Sequence, residues 1–130
     1  MGSEIETIAF FHINTTSIFE KNPDITELTI KAISTSQLLT YQTRRSRIVK
    51  ELTLAFKTEK KMTKAVINIS NLTNQELSRE VWFDEKTCRL IDCFLKTLPG
   101  PVCFVAHNGD SFDYRILKQH FDAYGLVSVF

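Results

Sequence analysis

An apolar run from Pro101 to Ala106 gives way to a polar, glycine-containing turn, His107-Asn108-Gly109-Asp110-Ser111, and then to helical spacing at Phe112, Ile116 and Leu117. A strand that delivers such a turn to a helix N-terminus points to an α/β sheet, in which the turn lies at the carboxyl ends of the strands, where ligands bind. Asp110 or Ser111 can cap the helix. Asp113 then falls in its first turn, next to the aromatic that anchors it.

The chain upstream reads as scaffold for this turn. Thr7 to Ile13 is rich in β-formers and runs into the turn residues Asn14-Thr15-Thr16-Ser17, which predicts a first and central strand. Ile25 to Ser34 alternates apolar with polar residues and predicts a second strand with one buried face. After a polar, basic loop, Glu51 to Thr58 gives a third, and the short connections predict an antiparallel meander. Val66 to Leu77 reads as a loop and a short helix, with Thr73 as N-cap and Glu76 as its capping-box partner. Phe83 to Leu98 carries Cys88, Ile91, Cys93, Phe94, Leu95 and Leu98 at helical spacing, and Pro99-Gly100-Pro101 stops it. A strand over Val102 to Ala106 and a helix over Phe112 to Tyr124 complete the order. Phe10, Ile13, Leu28, Ile30, Leu54, Phe94, Val105 and Phe112 are expected in the core.

The 130 residues suit one domain, and 43% apolar content with ten Phe is that of a chain with a core to bury. A net charge of +1 gives no overall electrostatic pull on nucleic acid. Basic residues do gather between Arg44 and Lys64, as a solvated face or one that meets phosphate. The three cysteines, Cys88, Cys93 and Cys103, lack metal-ligand spacing and read as core thiols in a reducing, intracellular setting. No signal peptide or membrane-spanning stretch is visible.

Asn108 to Phe112-Asp113, an Asn, three residues, an aromatic and an Asp, resembles the second exonuclease motif of the DEDD 3′-to-5′ exonucleases. The wording Ala106-His107-Asn108-Gly109-Asp110 is closer still to the three-prime repair (TREX) branch of the DEDDh group. Ile25-Thr26-Glu27-Leu28 sits where that family has its second-strand signature. Ile69-Ser70-Asn71-Leu72-Thr73 resembles its Ile-x-Gly-Leu-Ser/Thr loop, with Asn71 in the glycine position, a substitution that a left-handed turn tolerates. The resemblance covers nearly the whole chain. It implies a ribonuclease H-like fold in which a three-strand meander is joined by a parallel strand and flanking helices, and of which the C-terminal part is missing.

It also implies two-metal phosphodiester hydrolysis, in which a carboxylate cluster holds two divalent cations about 4 Å apart. The family supplies two of those carboxylates from the first strand as aromatic-x-Asp-x-Glu-x-Thr. This chain reads Phe10-Phe11-His12-Ile13-Asn14-Thr15-Thr16, with His12 for the Asp and Asn14 for the Glu. Asp113 is retained, while the family's general-base His and last Asp would fall beyond Phe130. Mg²⁺ binding is therefore expected to be weak or absent, and the domain inactive. A mononuclear Zn²⁺ or Mn²⁺ site of His12, Asn14 and Asp113, and so an active exonuclease with an altered metal site, is an alternative. By resemblance Thr15, Thr16, Ser17, Ile18 and Asn108 would contact the 3′ end of single-stranded DNA, with Ile18 wedged against the last base. A protein-interaction module is a further alternative, with Leu52 to Thr58 pairing edge to edge in a homodimer. A fold without its last elements is expected to associate or to be marginally stable.

Overall fold

The structure, a computed structural model, describes residues 4–17, 21–39, 49–106 and 113–123. In chain order its elements are β1 (Thr7–Thr15), β2 (Ile25–Ser34), α1 (Thr35–Leu39), β3 (Val49–Lys57), α2 (Lys64–Ser70), α3 (Asn74–Leu77), β4 (Val81–Trp82), α4 (Glu85–Lys96), β5 (Val102–Ala106) and α5 (Asp113–Ala123). The strands form one mixed sheet in the order β4-β3-β2-β1-β5. β1, β2 and β3 make the antiparallel meander, and β5 runs parallel to β1. β1 is thus interior, while β2 occupies the middle of the sheet. Among the described residues no helix is long and apolar enough to cross a membrane.

Alternation along the strands sorts the two faces. Ala9, Phe11 and Ile13 of β1, Leu28, Ile30 and Ala32 of β2, and Phe56 of β3 meet Cys88, Ile91 and Leu95 of α4 and Ile116 and Leu117 of α5 in the main core. A smaller cluster, Met62, Val66 and Leu77, packs with Ala55, whose side chain leaves β3 on the opposite face. α2 and α3 therefore cover one end of the second face. The rest of that face carries Phe10 and Val105, 42% and 40% exposed, side by side in the β1–β5 register. Both were expected in the core. In an all-apolar run the side chains still alternate, and these two fall on the parity away from α4 and α5.

Ile13, Leu28 and Ile30 are buried as expected, Leu54 and Phe94 are partly buried against the core, and Phe112 lies outside the described residues. Cys88 is fully buried, and burial with Asp84 and Glu85 nearby pushes its thiol pKa up to about 11. Cys93 is exposed, so it is not a core thiol.

Local signals explain the helices. Thr73 accepts from the Glu76 N–H while the Glu76 side chain accepts from the Thr73 N–H, the expected capping box. Asp84 and Thr87 repeat the reciprocal bond at the start of α4. α2 stands where a loop was expected: Thr63 caps it, and Asn71 closes it at φ 59°, the left-handed conformation foreseen at that position. β1 extends through Asn14 and Thr15, which were expected in the turn, because both pair with β2. The two-residue β4 and the short α1 carry no periodicity that a sequence could show.

His120 packs edge-on against Phe83 with ring centroids 5.1 Å apart. Its Nδ1 lies 2.9 Å from the Ile116 carbonyl, which can only accept, so Nδ1 carries the proton. Burial lowers the His120 pKa, against the raising effects of that hydrogen bond and of Asp24.

Two predictions follow from this packing. Phe11→Ala should cost about 3–5 kcal/mol as a core truncation, whereas Phe10→Ala one residue earlier should cost no more than about 1 kcal/mol, both read from urea unfolding midpoints. For His120, the unfolded ring takes up its proton near the ordinary value of about 6.5 and the folded ring only at lower pH. The stability it confers is thus whole above about pH 6.5 and is lost as pH falls through the lowered folded value. Unfolding midpoints of the wild type should fall over that window more than those of His120→Gln.

Candidate functional site at the end of the first strand

The parallel pairing of β1 with β5 brings Phe11 opposite Ala106, so both strands release the chain at the same end of the sheet. β2 enters there, with Thr15 opposite Ile25, and α5 starts with Asp113. Arg115 Nη1 donates to the Lys21 carbonyl at 3.0 Å, which ties α5 to the segment between β1 and β2. The Thr63 N–H at the head of α2 donates to the Thr16 carbonyl at 3.1 Å. Four elements thus converge on the end of β1.

His12 and Asn14, two residues apart, share the second face of the sheet, and both are half-buried. Asn14 lies directly opposite Glu27 of β2, and Asn14 Nδ2 donates to Glu27 Oε1 at 2.9 Å. On the other side of the amide, Asn14 Oδ1 lies 3.2 Å from His12 Nε2. The direction of this chain is fixed by its acidic end. A carboxylate only accepts, so the amide nitrogen faces Glu27 and the amide oxygen faces His12, whose Nε2 must then donate. The register shifts between Asn14 and Thr15, which bends the strand as it leaves the site.

Glu27 was read only as part of the second-strand signature. A contact across strands, made 13 residues apart, has no local spacing to reveal it. Once β1 and β2 are taken as a hairpin, a polar pair facing each other on the second face is the available clue.

The structure does not bring all the expected side chains to one surface. Thr15, Thr16 and Ser17 are buried. Thr15 donates its hydroxyl to the Ser17 carbonyl at 3.0 Å, and Thr16 Oγ1 accepts from the Asp24 N–H at 3.1 Å. Ile18 and Asn108 lie outside the described residues, as do the candidate caps Asp110 and Ser111. Asp113 is placed by its backbone as the first residue of α5, at the same end of the sheet.

Among the described residues two hollows adjoin this end. An open groove of about 470 Å³ on the second face is lined by Phe10, His12, Thr29, Lys31 and Val105. A cleft of about 380 Å³ runs between the start of β2, the ends of β3 and β4, and α5, lined by Asp24, Lys57, Trp82 and His120. There the Lys57 ammonium stands 5.2 Å from the centre of the Trp82 ring.

No family model matches the chain. It is 31% identical over 120 residues to human three prime repair exonuclease 2, covering 86% of this chain and 51% of that protein. To human three-prime repair exonuclease 1 it is 29% identical over 145 residues, covering 98% of this chain and 46% of that protein. The chain spans about half the length of these curated relatives. Its fold matches the nuclease domain of 3'hExo, a DEDDh family member bound to rAMP, with a TM-score of 0.70, 15% identity and coverage of 98% of this chain and 64% of that one. It matches the E. coli ExoI–single-stranded DNA complex in its zinc-bound form with a TM-score of 0.72, 14% identity and coverage of 95% and 25%. The chain is thus similar in sequence to the three-prime repair exonucleases and shares a ribonuclease H-like fold with exonuclease I and the 3'hExo nuclease domain.

Proposed function

We propose that this 3′-to-5′ exonuclease-like domain holds the 3′ end of single-stranded DNA and hydrolyses it little or not at all. One observation carries the reading: at the two β1 positions where the resemblance places metal-binding carboxylates, His12 and Asn14 are hydrogen-bonded to each other. The relationship implies divalent-metal use, and two-metal hydrolysis needs anionic oxygens to concentrate cation charge. Mg²⁺ favours hard oxygen ligands in octahedral array, and an imidazole with an amide brings no negative charge. Glu27 is anionic, but it already accepts from the Asn14 amide. The described donor set does not fit a pair of Mg²⁺ ions. A single softer cation fits less well than the hydrogen bond, since His12 Nε2 spends its position donating to Asn14.

Retained end binding is supported by the convergence of β1, β5, α2 and α5, and by the groove in which Phe10 and Val105 lie beside Lys31 and His12. An exposed aromatic with a cation near it, here Lys31, is the usual platform for an unstacked base and its phosphate. E. coli ExoI has been solved with single-stranded DNA and 3'hExo with rAMP, which favours nucleic acid as the ligand class here. By resemblance Ile18 and Asn108 would contact the terminal nucleotide, with the buried Thr15 to Ser17 supporting the strand end behind it. The free thiols of Cys88, Cys93 and Cys103 suit an intracellular, reducing compartment.

A second reading, a dimerisation module, is favoured by the edge of β3. β4 pairs only with Phe56 and Lys57, so among the described residues β3 from Lys50 to Ala55 keeps an open edge. The segment expected to pair, Leu52 to Thr58, is thus partly occupied, and a homodimer would use its first half.

In Mg²⁺, release of a radiolabelled 3′ nucleotide should match the buffer control, because losing one preorganised stabilising group already lowers rates by ~10²-fold or more. Turnover by the wild type that Asp113→Ala abolishes would overturn the inactive reading. Fluorescence anisotropy with a short single-stranded DNA should show saturable binding that weakens steeply with salt, as phosphate contacts require. No binding, together with a dimer that a proline in β3 dissociates, would favour the second reading.

A further inference from the structure

We infer that Glu27 is a positioning residue: through the Asn14 amide it fixes the proton of His12 on Nε2, and the three side chains tie β1 to β2 so that the strand end stays closed without a divalent cation. The inference deepens the proposed reading, on which it rests for the view that His12 and Asn14 stand at the cation positions. The tie itself rests on the register and on two hydrogen bonds.

Asn14 and Glu27 face each other directly across antiparallel strands, where side chains interact at close range and like charges destabilise. A glutamate at position 14 would set its carboxylate against that of Glu27. That arrangement needs a cation between or beside the two groups, or a proton on one of them, to offset the repulsion. An asparagine needs neither. Its nitrogen meets the Glu27 carboxylate in a charge-assisted bond of 2.9 Å, stronger than a neutral one. Its oxygen is thereby turned to His12, 3.2 Å away, and the imidazole at the aspartate position completes the tie with a donor where an acid would bring another acceptor. The two departures at positions 12 and 14 are therefore coupled through a residue belonging to neither. Charge that would call for bound metal is replaced by an alternation of donor and acceptor that ends on one carboxylate.

The experiment compares thermal unfolding in EDTA and in Mn²⁺ for the full chain and three variants. Wild type should melt at the same temperature in both. Asn14→Glu should melt about 3–6 °C lower in EDTA and recover in Mn²⁺, through mass-action binding to the paired carboxylates. Asn14→Glu with Glu27→Gln should regain the wild-type midpoint in EDTA and lose the cation response. If Asn14→Glu fails to fold in EDTA, folding on addition of Mn²⁺, followed by circular dichroism, gives the same answer. A merely structural role is separated by the ¹⁵N shifts of the His12 ring on the alkaline plateau of its titration. These should report Nε2–H in wild type and in Glu27→Gln, which keeps an acceptor, and a tautomer mixture in Glu27→Ala. The inference is overturned if Mn²⁺ stabilises the wild type and His12→Ala removes the gain, if Asn14→Glu is unaffected in EDTA, or if the wild-type ring carries its proton on Nδ1. Failure of DNA binding alone would sink the proposed function and leave the tie standing.

Discussion

β1 is hydrogen-bonded along both edges, antiparallel to β2 and parallel to β5, and this double pairing sets everything else. With its register held from two sides the strand cannot slip, and a slip of one residue would exchange its faces entirely. Ala9, Phe11 and Ile13 therefore point into the core under α4 and α5, and Phe10, His12 and Asn14 point to the second face. Core and site are specified by the same backbone bonds but by different side chains. Positions 12 and 14 can therefore hold residues other than carboxylates without touching any residue that packs the main core, and on the proposed reading the fold outlasts the chemistry.

The same alternation explains what the sequence discloses and what it hides. β2 runs from Ile25 to Ser34 as its polar and apolar alternation predicts, because a half-buried strand writes its two faces into its composition. Phe10 and Val105 are misjudged for the opposite reason: in runs of unbroken apolar residues nothing local says which parity faces the helices. Residues 66–70 read as loop because Val66 and Ile67 are followed by the polar Asn68 and Ser70, and packing against Met62, Leu77 and Ala55 adds to the Thr63 and Asn71 caps in holding α2 in place. The capping boxes at Thr73 and Asp84 involve residues three apart, and the Thr73 pair was legible for that reason. Asn71 shows the gain from reading conformation and not identity, since it takes the left-handed φ expected where the resemblance places a glycine.

For the site, positions were legible and partners were not. Period-two spacing places His12 and Asn14 together on one face without any structure. Their common partner Glu27 depends on which residue of β2 lies opposite Asn14, and that is set by the register just before the bulge at Thr15. A one-residue difference in the turn would put Leu28 there instead, on the wrong face. The role of Glu27 is thus a property of the pairing, visible only once the hairpin is built.

A carboxylate cluster is stable only in company with its cations, so losing metal-binding chemistry poses a physical problem beyond the loss of rate. If one acid of a cluster is replaced by a neutral group with no donor, the remaining acids stay partly buried against each other with less cation charge to offset them. Asparagine at position 14 meets this problem because an amide presents a donor to one side and an acceptor to the other. Histidine at position 12 meets it in turn, because an imidazole can supply the donor which that acceptor needs. Glu27, the one acid of the three, accepts a hydrogen bond from the Asn14 amide and on the proposed reading needs no metal. On the proposed reading His12 and Asn14 are consequently one exchange, in which a tie that requires no cation stands where the resemblance places a site that binds them.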